Sequence, residues 1–483
     1  MFSNILTLIL LFLSLEAMTS NGVLPEFPKI NDTLNIIDNN YTPDTLTINK
    51  IILSGNKVTK SQIIFRELLF HENDKISLNS LAQILEQSRK NLLNTSLFNF
   101  VTIDTLLIDS SKINISVSVI ERWYIWPMPF FQLSDRNFNV WWETKDFSKA
   151  DYGLFLNWDN FRGRKESLVI ILRTGYDETY GLSYKIPYLN KRKTIGLGIT
   201  GGFSGNHEIP YKTDYNKQVF FKDKEDYLSQ NIFSTFNITY RKNIFNSHTF
   251  QLNYKDYIFS DTLMKLNTNF SLQDHIQFFS FYYLFKCDYR DIKAYPLKGY
   301  YFDLELEKLG FGILEREKID MSFLHTTARK FWQLHNRWYF ASGINAKLST
   351  SLNQPYFIER GLGFGNDFVR SYEYYVVPGQ NFVILKSNLK FELIPTRVKN
   401  LKFIPSKKFS MFYYSVYINL LADAAYIDDS RHKSGNNNLS NTALFGTGIG
   451  IDFVTYYDKV FRFEYSINRM GESGLFLHFV API

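Results

Sequence analysis

Glu359-Arg-Gly-Leu-Gly-Phe-Gly-Asn-Asp-Phe-Val-Arg-Ser-Tyr-Glu-Tyr-Tyr-Val-Val-Pro-Gly-Gln380 is a long, glycine-rich connection, unusually aromatic for a solvated loop. Val369, Arg370, Ser371 and Tyr372 sit at its centre. Loops longer than about 12–15 residues are uncommon unless functional or disordered. Disordered segments are poor in aromatics, whereas this one carries Phe364, Phe368, Tyr372, Tyr374 and Tyr375. It therefore reads as a loop that packs against something, and the rest of the chain must supply the surface.

The 483 residues are 45% hydrophobic and 17% aromatic, with Phe 45 and Tyr 31. Yet no internal run of 18 apolar residues offers a membrane helix. Abundant aromatics without such runs suit a transmembrane barrel, whose strands alternate apolar-out with polar-in and carry aromatic girdles. A large secreted β-sandwich is the competing class. Ile5 to Leu15 has the length of a signal-peptide core and is too short to span a bilayer. Residues 1–20 are therefore expected to be a signal peptide, and the polar residues 21–45 a linker. Cys287 is the single cysteine and has no internal disulfide partner.

The pattern then changes. Leu46 to Asn56 reads as a strand ending in a Gly-Asn turn, and Thr59 to Leu69 as a helix with Thr59 and Gln62 spaced as a capping box. Ser77 to Leu93 reads as a second helix, and Phe98–Leu107 and Lys112–Ile120 as two alternating strands. The order β-α-α-β-β makes one small α+β domain over 46–122.

From Trp126 onward candidate strands recur every 15–25 residues, about 16 in all, an even number as in single-chain barrels. Phe461, Phe463, Tyr465 and Ile467 share one face of a strand, opposite Arg462, Glu464, Ser466 and Asn468. The strands at 380–394 and 443–455 repeat this division. Either an apolar face toward lipid or an apolar face toward a soluble core would produce it. Short connections alternate with long ones along the chain, the asymmetry expected of the two sides of a membrane barrel. Residues 289–298 and 395–409 are longer than that rule predicts for their side.

Several motifs carry a resemblance. Gly55-Asn56, Arg66-Glu67, Leu97-Phe98-Asn99-Phe100-Val101 and Val117 to Arg122 resemble a POTRA domain of the BamA/TamA outer-membrane assembly superfamily. Asp159-Asn160-Phe161-Arg162-Gly163 resembles that family's turn after the second barrel strand. Asp288, Arg290, Asp291, Pro296 and Gly299 resemble its mid-barrel segment. Val369-Arg370-Ser371-Tyr372 resembles its Val-Arg-Gly-aromatic loop motif, with serine in place of glycine. The resemblance implies an all-β transmembrane barrel over 123–483, preceded by the POTRA domain and with a loop, 350–379, inserted into the lumen. It implies that Arg370 is held by lumen-facing carboxylates, for which Glu392 and Asp423 are the matching positions. It also implies a place in the bacterial outer membrane with the POTRA in the periplasm. The implied partners are outer-membrane lipids, unfolded outer-membrane protein clients and accessory proteins of the periplasm or membrane.

Enzyme readings find no motif. The eight histidines are scattered without His-Glu-x-x-His spacing, no Gly-x-Ser-x-Gly elbow occurs, and Gly361-x-Gly363-x-Gly365 lacks a βαβ setting. The net charge of +7 is modest and comes with no nucleic-acid motif. No catalysis, cofactor, metal or nucleic acid is expected. Two functions remain open: an insertase or translocation factor whose POTRA takes extended polypeptide by β-augmentation, and a polypeptide-secreting or passive pore with the POTRA as docking module.

Overall fold

The computed structural model describes residues 45–133, 150–175, 177–223, 226–402, 404–431 and 436–479. The expected signal peptide and most of the linker lie outside them. The N-terminal domain comprises β1 (Thr45–Ser54), α1 (Ser61–Phe65), β2 (Lys75–Ser77), α2 (Leu78–Leu93), β3 (Phe98–Asp109) and β4 (Lys112–Glu121). Its sheet order is β2-β1-β4-β3, with β1 and β4 parallel. On β4, Ile113, Ile115, Val117 and Val119 are buried, as period-two alternation requires, and Leu85 and Leu92 of α2 cover them within one core. Two local expectations differ. β2 is a three-residue edge that no pattern marked. The capping box does not form, because Lys60 is the N-cap and Thr59 faces Tyr124 and Asn160 instead.

After this domain the chain forms sixteen antiparallel strands in a single sheet. The first are β5 (Ile125–Leu133), β6 (Ala150–Phe161), β7 (Glu166–Gly175), β8 (Asp177–Ile186) and β9 (Ile195–Asn206). A separate hairpin, β10 (Glu208–Asp214) with β11 (Lys217–Lys222), stands outside the sheet. The sheet resumes with β12 (Ser229–Tyr240), β13 (Asn246–Phe259), β14 (His275–Asp288), β15 (Gly299–Leu309), β16 (Met321–His335) and β17 (Trp338–Ser349). It ends with β18 (Asn381–Asn400), β19 (Met411–Asp428), β20 (Ala443–Thr455), β21 (Lys459–Asn468) and β22 (Ser473–His478).

Exposure decides between membrane barrel and soluble sandwich. On β21 the apolar face is outside, with Phe463, Tyr465 and Ile467 at 44%, 50% and 42% exposure. The charged face is inside, with Arg462 and Glu464 at 0% and 1%. On β20, Phe445, Ile449 and Ile451 are exposed while Asp452 is fully buried. On β18 and β19, Leu385 and Leu420 face outward while Asn388, Lys390 and Asn419 face inward. A soluble fold would bury the apolar rows. Here they form the lipid-facing surface of a barrel with a polar interior.

The N-terminal domain marks one end of the barrel. Six connections meet it: 162–165, 187–194, 241–245, 289–298, 401–410 and 456–458. At the other end, the β10–β11 hairpin and the connections 350–380 and 429–442 converge. Asn216 binds Asn437 and Val376, and Thr213 meets Tyr356.

Candidate functional site

The stretch 359–380 leaves β17, turns into the barrel and returns to β18. Its arginine lies in a fully enclosed polar shell, with the side chains of Arg370, Asp423 and Glu464 all at 0% exposure. One terminal nitrogen of the guanidinium pairs with Asp423, the other donates to Asn388 Oδ1 at 2.9 Å, and Nε lies 3.4 Å from Glu464 Oε2. The Arg370 backbone N–H also donates to Asp423 Oδ2 at 3.2 Å. Register explains the convergence. Asp423 lies opposite Lys386 on β18, two residues from Asn388 on the same face, while Glu464 reaches the shell from β21.

Glu392 is not part of this shell. It lies opposite Tyr417, whose hydroxyl is 3.4 Å from its Oε1. Asp423 is six positions after Tyr417 on β19, about 20 Å at strand rise. Facing the lumen was legible for both residues; depth was not. Glu464 fills the role expected of Glu392.

The backbone around Arg370 shows how serine serves in the motif. Ser371 has φ 65°, a conformation that suits glycine and strains other residues. Its hydroxyl donates within reach of the Ser466 and Glu472 carbonyls (3.3 and 3.2 Å), and its own carbonyl accepts from Asn468 Nδ2 at 3.0 Å. These contacts offset the strain and anchor the loop to β21 and the turn after it. Val369 and Tyr372 pack with Leu362, Val377, Ile384, Ile427 and Leu444. Gly446 permits the close approach, since a Cβ there would stand 2.0 Å from the Arg370 carbonyl oxygen.

A second insertion enters from the opposite end, and only part of it was expected. Asp288 and Arg290 form a bidentate pair (2.7 and 2.9 Å), with Arg290 over the Tyr301 ring. Asp291 holds its own turn by accepting from Leu297 N–H, and Gly299 has φ 100° where a Cβ would meet the Tyr289 carbonyl. Pro296 lies in this connection, next to Tyr295. The segment delivers Tyr295, 5% exposed, into the lumen. There its hydroxyl donates to Asp452 Oδ2 at 2.7 Å, and Asp452 is held by Arg462 through two bonds of 2.6 and 2.7 Å. Arg462 and Asp452 had been legible only as members of polar faces.

The N-terminal domain is clamped to the barrel. Arg241 grips Glu67 with two hydrogen bonds (2.8 and 3.0 Å), and Tyr188 donates a third at 2.9 Å. Arg122 grips Asp458 in the same bidentate way at 2.7 and 2.9 Å. Lys60 N–H donates to the Gly163 carbonyl, and any Cβ at Gly163 would stand 2.1 Å from the Val58 carbonyl oxygen. The turn Asp159–Gly163 is thus shaped to receive this domain.

Burial by itself pushes the Glu67 carboxyl upward. The charge of Arg241 and Lys165 and the bonds from Arg241 and Tyr188 outweigh it and hold the group at about 2, against an ordinary 4.5. Because the folded value is depressed, the stabilisation is fully present above pH 4.5 and is lost as pH falls toward 2. The difference corresponds to at most about 3 kcal/mol. Acidification through this window should loosen the domain from the barrel, read as rising protease cleavage near Arg122. Glu67→Gln should flatten that pH dependence; an unchanged profile would show that the clamp lies elsewhere.

Among the described residues, the sheet runs from β5 to β22 with no ladder between these two strands. Every strand ladders with both sheet neighbours except the terminal two. Among the described residues β5 pairs only with β6, and β22 only with β21. Pro127 and Pro129 remove donors from β5, and β22 is six residues long.

Comparison with known proteins agrees with this anatomy. The POTRA family, described as "Surface antigen variable number repeat", matches residues 46–122. The "Outer membrane protein assembly factor BamA" of Neorickettsia risticii (strain Illinois) is 29% identical over 188 residues. That match covers 38% of this chain and 22% of the relative, so the chain spans well under two thirds of that protein's length. CdiB from Escherichia coli has a similar fold, with TM-score 0.50 and 10% identity over 90% of this chain and 75% of that one. BamA from Haemophilus ducreyi lacking POTRA domains 1-3 gives TM-score 0.49 and 14% identity, covering 89% and 83%. Residues 46–122 are thus a POTRA-family domain that leads directly into a sixteen-stranded barrel, and the chain is similar to outer-membrane assembly proteins of the BamA kind.

Proposed function

We propose that the chain is an outer-membrane assembly or translocation factor of the insertase kind. Its POTRA takes up extended client polypeptide, and the flank between β5 and β22 admits that polypeptide to the membrane. The observation that carries the reading is the flank itself: fourteen strands are laddered on both sides, and the two terminal ones are not laddered to each other among the described residues. A strand with a free edge is a template for another chain. On this reading the insertions carrying Arg370 and Tyr295 hold the lumen shut while the flank works, and the protein performs no catalysis.

The POTRA supplies a second edge. β3 is the outer strand of its sheet, and Leu106, Leu107 and Ile108 on it are 56%, 57% and 50% exposed. Such an edge can add a strand through main-chain bonds and read alternate side chains. A photo-crosslinker at Leu107 in cells should capture unfolded outer-membrane proteins in transit. Capture of a single secreted polypeptide, or of no client, would instead favour the secretion pore with the POTRA as docking module.

A further inference from the structure

Beside the Arg370 shell lies a cluster that neither the loop motif nor the client reading uses. Glu373 belongs to the inserted loop, Glu464 to β21, and His478 to the end of β22. Their ligating atoms all lie within 4.8 Å of one another. His478 Nε2 is 3.6 Å from Glu373 Oε1 and 3.9 Å from Glu464 Oε2. The side chains of Glu373 and Glu464 are 1% and 0% exposed, and that of His478 10%. The imidazole is held by stacking on Phe368, with ring centroids 5.6 Å apart and 10° between planes.

From these positions we infer that Glu373, Glu464 and His478 form a site for a divalent transition-metal ion of the zinc type. Carboxylate oxygens and an unprotonated imidazole nitrogen are electron-pair donors that a cation can join, and at 3.6 and 3.9 Å the imidazole stands beyond hydrogen-bond reach of both carboxylates. Among the described residues His478 Nε2 takes part in no hydrogen bond, although buried polar atoms normally do, and Glu464 Oε2 meets Arg370 Nε at 3.4 Å. A zinc ion bonds such atoms at about 2.0–2.2 Å, which sets neighbouring ligands about 3.4 Å apart in a tetrahedron. The observed 3.6 and 3.9 Å need little contraction. An imidazole with two carboxylates suits zinc better than calcium or magnesium, which take oxygen ligands. Charge agrees as well. Asp423, Glu373, Glu464 and Asp452 bring four carboxylates to a region where Arg370, Lys386 and Arg462 supply three positive charges. A water would complete the fourth position.

The consequence is mechanical. The ion would join the inserted loop to β22, the terminal strand at the flank, and to its neighbour β21. Metal release would then free the loop and the flank together. This inference stands apart from the client reading, because it concerns binding and loop motion only.

The test uses the full chain in detergent, with any affinity tag removed, stripped by chelator and titrated with zinc. One ion per chain should bind, and cobalt substituted for it should give the visible spectrum of a four-coordinate site. Glu373→Gln and His478→Gln should each abolish this stoichiometric binding while keeping heat-modifiable gel mobility. With free zinc 100-fold above the dissociation constant, opening of the 359–380 loop, read by protease cleavage, should slow about 100-fold. Glu373→Gln changes only a loop residue, so its reading does not depend on refolding a strand. Absence of stoichiometric binding, binding unchanged in Glu373→Gln, or zinc without effect on loop cleavage in the wild type would each overturn the site.

Discussion

A disulfide tying β5 to β22 is expected to abolish assembly activity in cells while the barrel stays folded. Pro129 on β5, opposite the outward-facing Leu154, and Leu475 on β22, opposite the outward-facing Tyr465, lie on the outer face and are starting points for a pairwise cysteine scan. Cys287 must first become serine to prevent mispairing. The expectation follows from topology. Fourteen strands are fixed by ladders on both sides, and each ladder must break before its strands can separate. Among the described residues no ladder joins β5 to β22, so a covalent bond there closes the opening that the proposed function requires. Reduction should restore activity. Full activity in the oxidised, crosslinked form would show that clients do not use the flank and would leave the lumen as the route.

Arg370→Ala is expected to be the most damaging single substitution in the lumen. Removing one partner of a buried ion pair costs about 3–5 kcal/mol, because the remaining charge is stranded. The zero exposure of Arg370, Asp423 and Glu464 places the shell in packed protein rather than open water, so the full range applies. The barrel ladders do not pass through the loop, so the loss should fall on the loop conformation and on activity before it reaches global folding. Arg370→Lys should fail as well. A fork contacts Asp423, Asn388 and Glu464 from three nitrogens, and one ammonium cannot occupy all three positions. Asp423→Ala should resemble Arg370→Ala, and the double variant should fall well short of the sum, since residues in contact couple. Simple additivity in that cycle, measured by loop protection and activity, would remove the shell from the mechanism.

The sixteen strands were legible because a barrel strand writes its two faces into sequence. Phe461, Phe463, Tyr465 and Ile467 against Arg462, Glu464, Ser466 and Asn468 state both the element and its two environments. The alternation could not say which environment was lipid; exposure settled that. The β10–β11 hairpin was missed because its turn, Tyr215-Asn216, uses two left-handed residues without glycine (φ 48° and 56°). Nothing in that stretch carries the usual hairpin signal. Site residues were legible as lumen-facing and no further. Asp423 and Glu392 both satisfy the alternation, and only strand register puts one beside Arg370 and the other near Tyr417. The Tyr295–Asp452–Arg462 contact and the Glu373–Glu464–His478 cluster each join segments far apart in sequence. No local spacing encodes them.

The central claim is that the β5–β22 flank receives polypeptide, and a photo-crosslinker at Met128 in living cells tests it most directly. Met128 lies on the terminal strand β5, 44% exposed, between two prolines that leave this stretch poor in donors. Newly exported outer-membrane proteins should crosslink there during assembly, and the adduct should fade when their synthesis is stopped. The same probe at Leu385, exposed on β18 and flanked by ladders on both sides, should capture none. Equal capture at the two positions, or none at Met128 while clients still assemble, would contradict the account.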